Sequence, residues 1–187
     1  LAELAGLAEA EIREKGREDE MENPRETAEK IALGALHFYL LQTSPGKDMI
    51  FEPQKSISFT GNTGPYLQYT CARISTMLQK YEERKSSIGD GDFSAEFLTV
   101  PEEWELIKNI GRFQEVLEKS CTELNPGLLA GYLYDTAKTF SQYYHDNPVL
   151  HNEDPNLVAS RIALARAVLQ VLKNGLHFIN VPFLQSM

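Results

Sequence analysis

The chain has 187 residues, 42% hydrophobic and 24% charged, and its 27 acidic against 18 basic residues give a formal net charge of −9. That length and apolar content suffice for a substantial core, which excludes a disordered polyelectrolyte. No apolar run reaches the ~20 residues of a membrane-spanning helix, and the average surface repels a polyanion, so unselective electrostatic capture of nucleic acid is excluded as well.

The N-terminus lacks the basic-then-apolar order of a signal peptide, and the expected location is cytoplasmic. Cys71 and Cys121 stand far apart without a second pair, so neither a disulfide framework nor a zinc site is indicated, and reduced, mostly buried thiols are expected. The sequence opens at Leu1 directly in an amphipathic pattern, as a piece of a longer protein would. Periodicity predicts an all-α bundle of about five or six helices with one short extended segment. Two units are expected: residues 1–23, a linker helix followed by a charged stretch, and residues 24–187, the helical domain.

In chain order, Leu1, Leu4, Leu7, Ala8 and Ile12 recur at helical spacing before the charged run 14–20. Asn23 and Pro24 form a helix start, and Ile31, Ala35, Phe38 and Leu41 carry that helix to a stop at Pro45-Gly46. Residues 49–59 alternate loosely around Pro53 and fit the extended segment. A helix from about Pro65 to about Lys85 follows, then a polar loop over 86–92. Pro101 opens a third main helix with Trp104, Ile107, Phe113, Val116 and Leu117 as core contacts. Asn125-Pro126 opens a fourth, in which Leu129, Tyr132, Leu133, Phe140, Tyr143 and Tyr144 are spaced for a wide buried face. The last helix runs from Asn156 to Phe178.

The stretch from Gly61 to Ile74 carries the most specific pattern. Gly61 and Gly64 permit a tight entry, Asn62 or Thr63 can cap the first turn, and Pro65 suits the first helical position. At ~100° per residue, Tyr66, Tyr69, Arg73, Met77 and Lys80 share one stripe, while Leu67, Cys71, Ile74, Leu78 and Tyr81 share a core-facing one. Aromatic surfaces beside fixed positive charge suit an unstacked base and its phosphate. The same spacing also suits two tyrosines half-buried at a helix junction with their hydroxyls bonded. Charge is unevenly spread: residues 61–85 carry four basic and two acidic side chains, and 161–187 carry three basic and none acidic. Those are the only net positive segments, and packed side by side they would form a basic face.

The run Phe59-Thr60-Gly61-Asn62-Thr63-Gly64-Pro65-Tyr66-Leu67-Gln68-Tyr69, with Ala72-Arg73-Ile74 after it, resembles the signature opening the C-terminal anticodon-binding helical domain of arginyl-tRNA synthetases. Tyr132-Leu133-Tyr134 through Phe140, Tyr143-Tyr144 and Pro148-Val149-Leu150 resemble the same family, as do Arg161-Ile162-Ala163-Leu164 and Val171 to Leu176. The likeness spans residues 25–187 in the correct order. It implies recognition of the anticodon stem-loop of tRNA(Arg), with Tyr66 and Tyr69 as stacking or packing surfaces and Arg73 as a phosphate or base contact. Lys80 extends that stripe, Met187 takes the place of the family's final methionine, and Val149 that of an apolar or aromatic residue joining them. The tail departs from the family, with Ser186 where an arginine is usual.

No glycine-rich phosphate loop, His-Glu-x-x-His or Gly-x-Ser-x-Gly occurs, nor either signature of the family's nucleotide-binding domain. The chain is expected to hold no catalytic residues, no metal and no cofactor. The resemblance implies ATP and magnesium for the full enzyme, an arginine-tRNA ligase, and a catalytic domain on the same polypeptide as partner. His145 and His151, near Asp146, Glu153 and Asp154, have no specific metal-ligand spacing. A competing expectation is a helical protein-interaction module whose tyrosine stripe docks another domain.

Overall fold

Proline at the first or second position opens six of the helices, and Asn23, Thr63, Asn125 and Asp154 each cap one of them through a side-chain oxygen. Both features place a residue where the backbone N–H has no intrahelical partner to lose. The computed structural model describes residues 1–14, 23–43, 46–89 and 91–187. The charged run beyond Glu14, the stop at Pro45 and Asp90 of the polar loop lie outside the described residues.

Among the described residues there are eight α-helices: α1 (Ala2–Glu14), α2 (Pro24–Leu41), α3 (Pro53–Ser56), α4 (Gly64–Ile88), α5 (Pro101–Gly111), α6 (Phe113–Thr122), α7 (Pro126–Asp146) and α8 (Pro155–Phe178). A 3-10 turn covers Ala95–Phe97. The all-α bundle expected from periodicity is present, with two differences. Pro53 begins a single helical turn, closed by Ser56 Oγ donating to the Pro53 carbonyl at 2.7 Å, where an extended segment was expected. The third main helix divides at Gly111–Arg112, where the Arg112 N–H bonds back to the Lys108 and Asn109 carbonyls and α6 restarts. Glycine is a poor helix former, and the break lets α5 and α6 follow α7 separately.

Helices α4, α7 and α8 enclose the main core, in which Leu67, Ile74, Leu133, Phe140, Tyr143, Ile162 and Leu172 are all but inaccessible. A second cluster joins α1, α2, α4 and the C-terminal tail through Ala8, Ile12, Ala28, Ile31, Ala35, Ala72, Leu184 and Met187. Helix α1 therefore buries its apolar stripe against α2. Helices α2 and α4 meet at closest approach through Gly34 and Gly64, since a Cβ on Gly64 would lie 2.2 Å from the Gly34 carbonyl oxygen.

Helix α8 ends at a left-handed residue, Asn180 (φ 54°), whose N–H bonds to the His177 carbonyl while the Val181 N–H reaches that of Leu176. Asparagine tolerates this conformation better than other side chains that carry a Cβ. The turn sends residues 181–187 back across α4 and α2, with Val181, Leu184 and Met187 facing inward.

Candidate nucleic-acid interface

Thr63 accepts from the Tyr66 N–H at 3.2 Å and fixes where α4 begins. From that origin the stripe of Tyr66, Tyr69, Arg73, Met77 and Lys80 does not share one environment. Tyr66 is half-buried against α7, its hydroxyl donating to Ser141 Oγ at 3.2 Å and its ring 5.6 Å from that of Tyr134. Met77 is sealed in the core at 2% exposure.

Tyr69, Arg73 and Lys80 line an open groove of about 280 Å³ with Tyr144 of α7 and Met187 of the tail. Arg73 is exposed, and its guanidinium carbon lies 5.7 Å from the Tyr69 ring centroid and 5.4 Å from that of Tyr144. Such cation–π contacts each contribute about 0.5–1 kcal/mol at exposed sites and restrict the wandering of a long side chain. Tyr144 in turn stacks on Phe140, with ring planes 15° apart and centroids at 5.9 Å. The other lining residues are Ala72, Thr76 and Met77, so no acidic side chain enters this groove although the chain's net charge is −9. A guanidinium held between two rings presents N–H donors and a flat cationic face, which suits a phosphate or an unstacked base.

Two sequence expectations are corrected. Val149 is 1% exposed and belongs to the main core, so it does not reach this surface. The basic face expected from the last segment is mostly neutralised: Arg161 is buried and pairs with Glu103 at 2.7 Å, Arg166 pairs with Glu82 of α4, and Lys173 sits over Phe183. Cys121 is exposed, whereas Cys71 is buried and burial pushes its thiol up to about 12.

Tyr144 is the contributor that periodicity missed, because it was counted with the buried face of its helix. The signal was the adjacent pair Tyr143-Tyr144: successive residues diverge by ~100°, so one core-facing tyrosine turns the other outward. Tyr143 is the inward one, fully buried, its hydroxyl donating to Glu103 Oε1 at 3.2 Å. Burial raises its pKa, and the Glu103 carboxylate acts in the same direction against the opposing pull of Arg161. Glu103 also accepts from Arg161 Nε and from the Val100 N–H, which ties α5, α7 and α8 together.

The DALR anticodon binding domain model matches residues 67–187. The chain is 48% identical to the arginine–tRNA ligase of Treponema denticola over 94% of its own length and 30% of that protein. It is 42% identical to the ligase of Treponema pallidum over 100% of its length and 32% of that protein. It superposes on Thermus thermophilus arginyl-tRNA synthetase with a TM-score of 0.88 and 30% identity, covering 100% of this chain and 31% of that one. The chain thus spans about 30% of the length of the relatives it matches. With well over half of its residues matched by that model, the chain belongs to the DALR anticodon binding domain family.

Proposed function

We propose that this chain is the anticodon-reading part of an arginine–tRNA ligase and binds the anticodon stem-loop of tRNA(Arg). The observation that carries the proposal is the groove without acidic side chains in which Arg73 is held between Tyr69 and Tyr144 beside Lys80 and Met187. The relatives of 48% and 42% identity, both arginine–tRNA ligases, support the choice of tRNA.

In this reading Arg73 and Lys80 meet backbone phosphates or base edges, while the tyrosines orient the guanidinium and offer aromatic surface to unpaired bases. Tyr66 supports α4 against α7 and acts by packing. Residues 24–187 form the binding domain, and 1–23 a linker helix and a charged stretch that lead from the rest of the polypeptide. ATP and magnesium serve a catalytic domain on that polypeptide. Grip on the anticodon contributes to the reaction by holding the distant acceptor end in place, which is orientation rather than chemistry. Among the described residues no helix is long and apolar enough to cross a membrane, which fits the cytoplasmic location proposed here.

The test is fluorescence anisotropy of the full 187-residue chain with a labelled arginine-specific anticodon stem-loop and with the same stem carrying another anticodon. The arginine loop is expected to bind at least about tenfold tighter, the discrimination available from one or two base contacts. Equal affinity for both loops would contradict the proposal.

A further inference from the structure

Gln68 lies between the core stripe and the groove stripe of α4, and it is fully buried. Its Nε2 donates to two main-chain carbonyls outside α4, that of Lys30 on α2 at 3.0 Å and that of Pro182 in the tail at 2.8 Å. Its Oε1 has no hydrogen-bond partner, the only such buried side-chain atom among the described residues. A buried amide oxygen without a partner is costly, so the arrangement persists because the two donated bonds require Nε2 to face this way. Gly34 makes room for it: a Cβ there would lie 2.7 Å from Nε2 and 2.8 Å from the amide carbon.

The Pro182 carbonyl follows the Asn180 turn and the Val181 N–H bond to the Leu176 carbonyl, and Met187 stands five residues further on, at the groove. From this geometry we infer that Gln68 is a positioning residue for RNA recognition: it clasps the tail through Pro182 and thereby holds Met187 as one wall of the groove beside Arg73. The inference rests on the RNA-binding reading above and adds a residue that touches no RNA itself. Gln68 points away from the groove stripe and acts on Met187 through the tail, while its second bond, to the Lys30 carbonyl, ties α4 to α2.

The test uses Gln68→Leu, which keeps the bulk and removes both donors, in the full 187-residue chain. Gly34→Ala is the second variant, because its methyl group displaces the same amide from the other side. Two readouts are followed in each: the methyl resonance of Met187 with that of Met49, which does not line the groove, as internal reference, and affinity for the arginine anticodon stem-loop. The expected result is a Met187 methyl signal shifted towards its random-coil position while Met49 stays put. RNA affinity should fall at least about threefold, and by no more when Gln68→Leu is combined with Met187→Ala than with Met187→Ala alone, the non-additivity of residues acting through one element. A stationary Met187 methyl in both variants overturns the inference. So does a displaced methyl with undiminished RNA affinity in a chain where Arg73→Ala still weakens binding. If the wild-type chain binds no stem-loop, the underlying reading fails and this inference fails with it, an outcome separable from the others by the wild-type titration.

Discussion

At the scale of single residues the groove turns on Arg73, exposed yet held between two aromatic rings. Tyr144→Ala removes one of those rings and is expected to weaken stem-loop binding by about 1–2 kcal/mol, read by anisotropy, and to lower urea stability by about 1–2 kcal/mol because the ring also stacks on Phe140. Val149→Ala should cost roughly 1–3 kcal/mol of stability by opening a core cavity, yet leave RNA affinity at the wild-type level. The contrast between these two shows how far side chains were legible in sequence. Tyr69, Arg73 and Lys80 were readable because helical spacing alone puts them on one side of α4. Tyr144 was misassigned because it sits where α7 meets α4, and Val149 because its place was taken from the family resemblance, whereas its own side chain packs into the core. The rotation of one helix against another depends on partners remote in sequence. The thiols offer a simple check: Cys121 should react with a thiol reagent at pH 8 in the folded chain and Cys71 only on unfolding, since burial both shields it and suppresses its thiolate.

At the scale of elements, the decisive constraint on α7 is the buried group of Glu103, Arg161 and Tyr143. Removing one member of a buried pair leaves the other charge unpaired, so Glu103→Ala is expected to cost about 3–5 kcal/mol by urea denaturation. The exposed pair of Glu82 and Arg166 joins α4 to α8 in the same way on paper, yet Glu82→Ala should cost less than about 1 kcal/mol because water screens it. Equal losses in the two variants would refute this ranking. Helix starts were legible from Asn23-Pro24, Asn125-Pro126 and the glycine-flanked Thr63, all local signals. The division at Gly111–Arg112 was not, because Ile107 and Ile110 before it and Phe113, Val116 and Leu117 after it continue one apolar rhythm. Summed charge failed similarly for α8: three basic residues suggested an exposed basic helix, whereas Arg161 serves the interior and Arg166 a neighbouring carboxylate.

At the scale of the whole molecule, the fold keeps Cys71, Tyr132 and Tyr143 neutral by burying them, and all three have raised pKa values. A group raised in the folded state gives its full stabilisation below its ordinary value, 9.0 for the thiol and 10.0 for the phenols, and loses it as pH climbs towards the folded value. Thermal unfolding followed from pH 8 to 11 should therefore show Tm falling above about pH 9, and less steeply in Cys71→Ala between pH 9 and 10. The acidic average surface and the groove without acidic side chains act together, since general repulsion disfavours unselective RNA binding while Tyr69, Arg73, Lys80, Tyr144 and Met187 converge on a locally attractive surface. The measurement that bears most directly on this account is the dependence of stem-loop affinity on salt for the wild-type chain and Arg73→Ala. The account predicts weaker binding by the variant and a log–log slope shallower by about 0.7–0.9, the signature of one lost phosphate contact. Identical affinity and slope would contradict it and leave the groove as a surface for apolar docking.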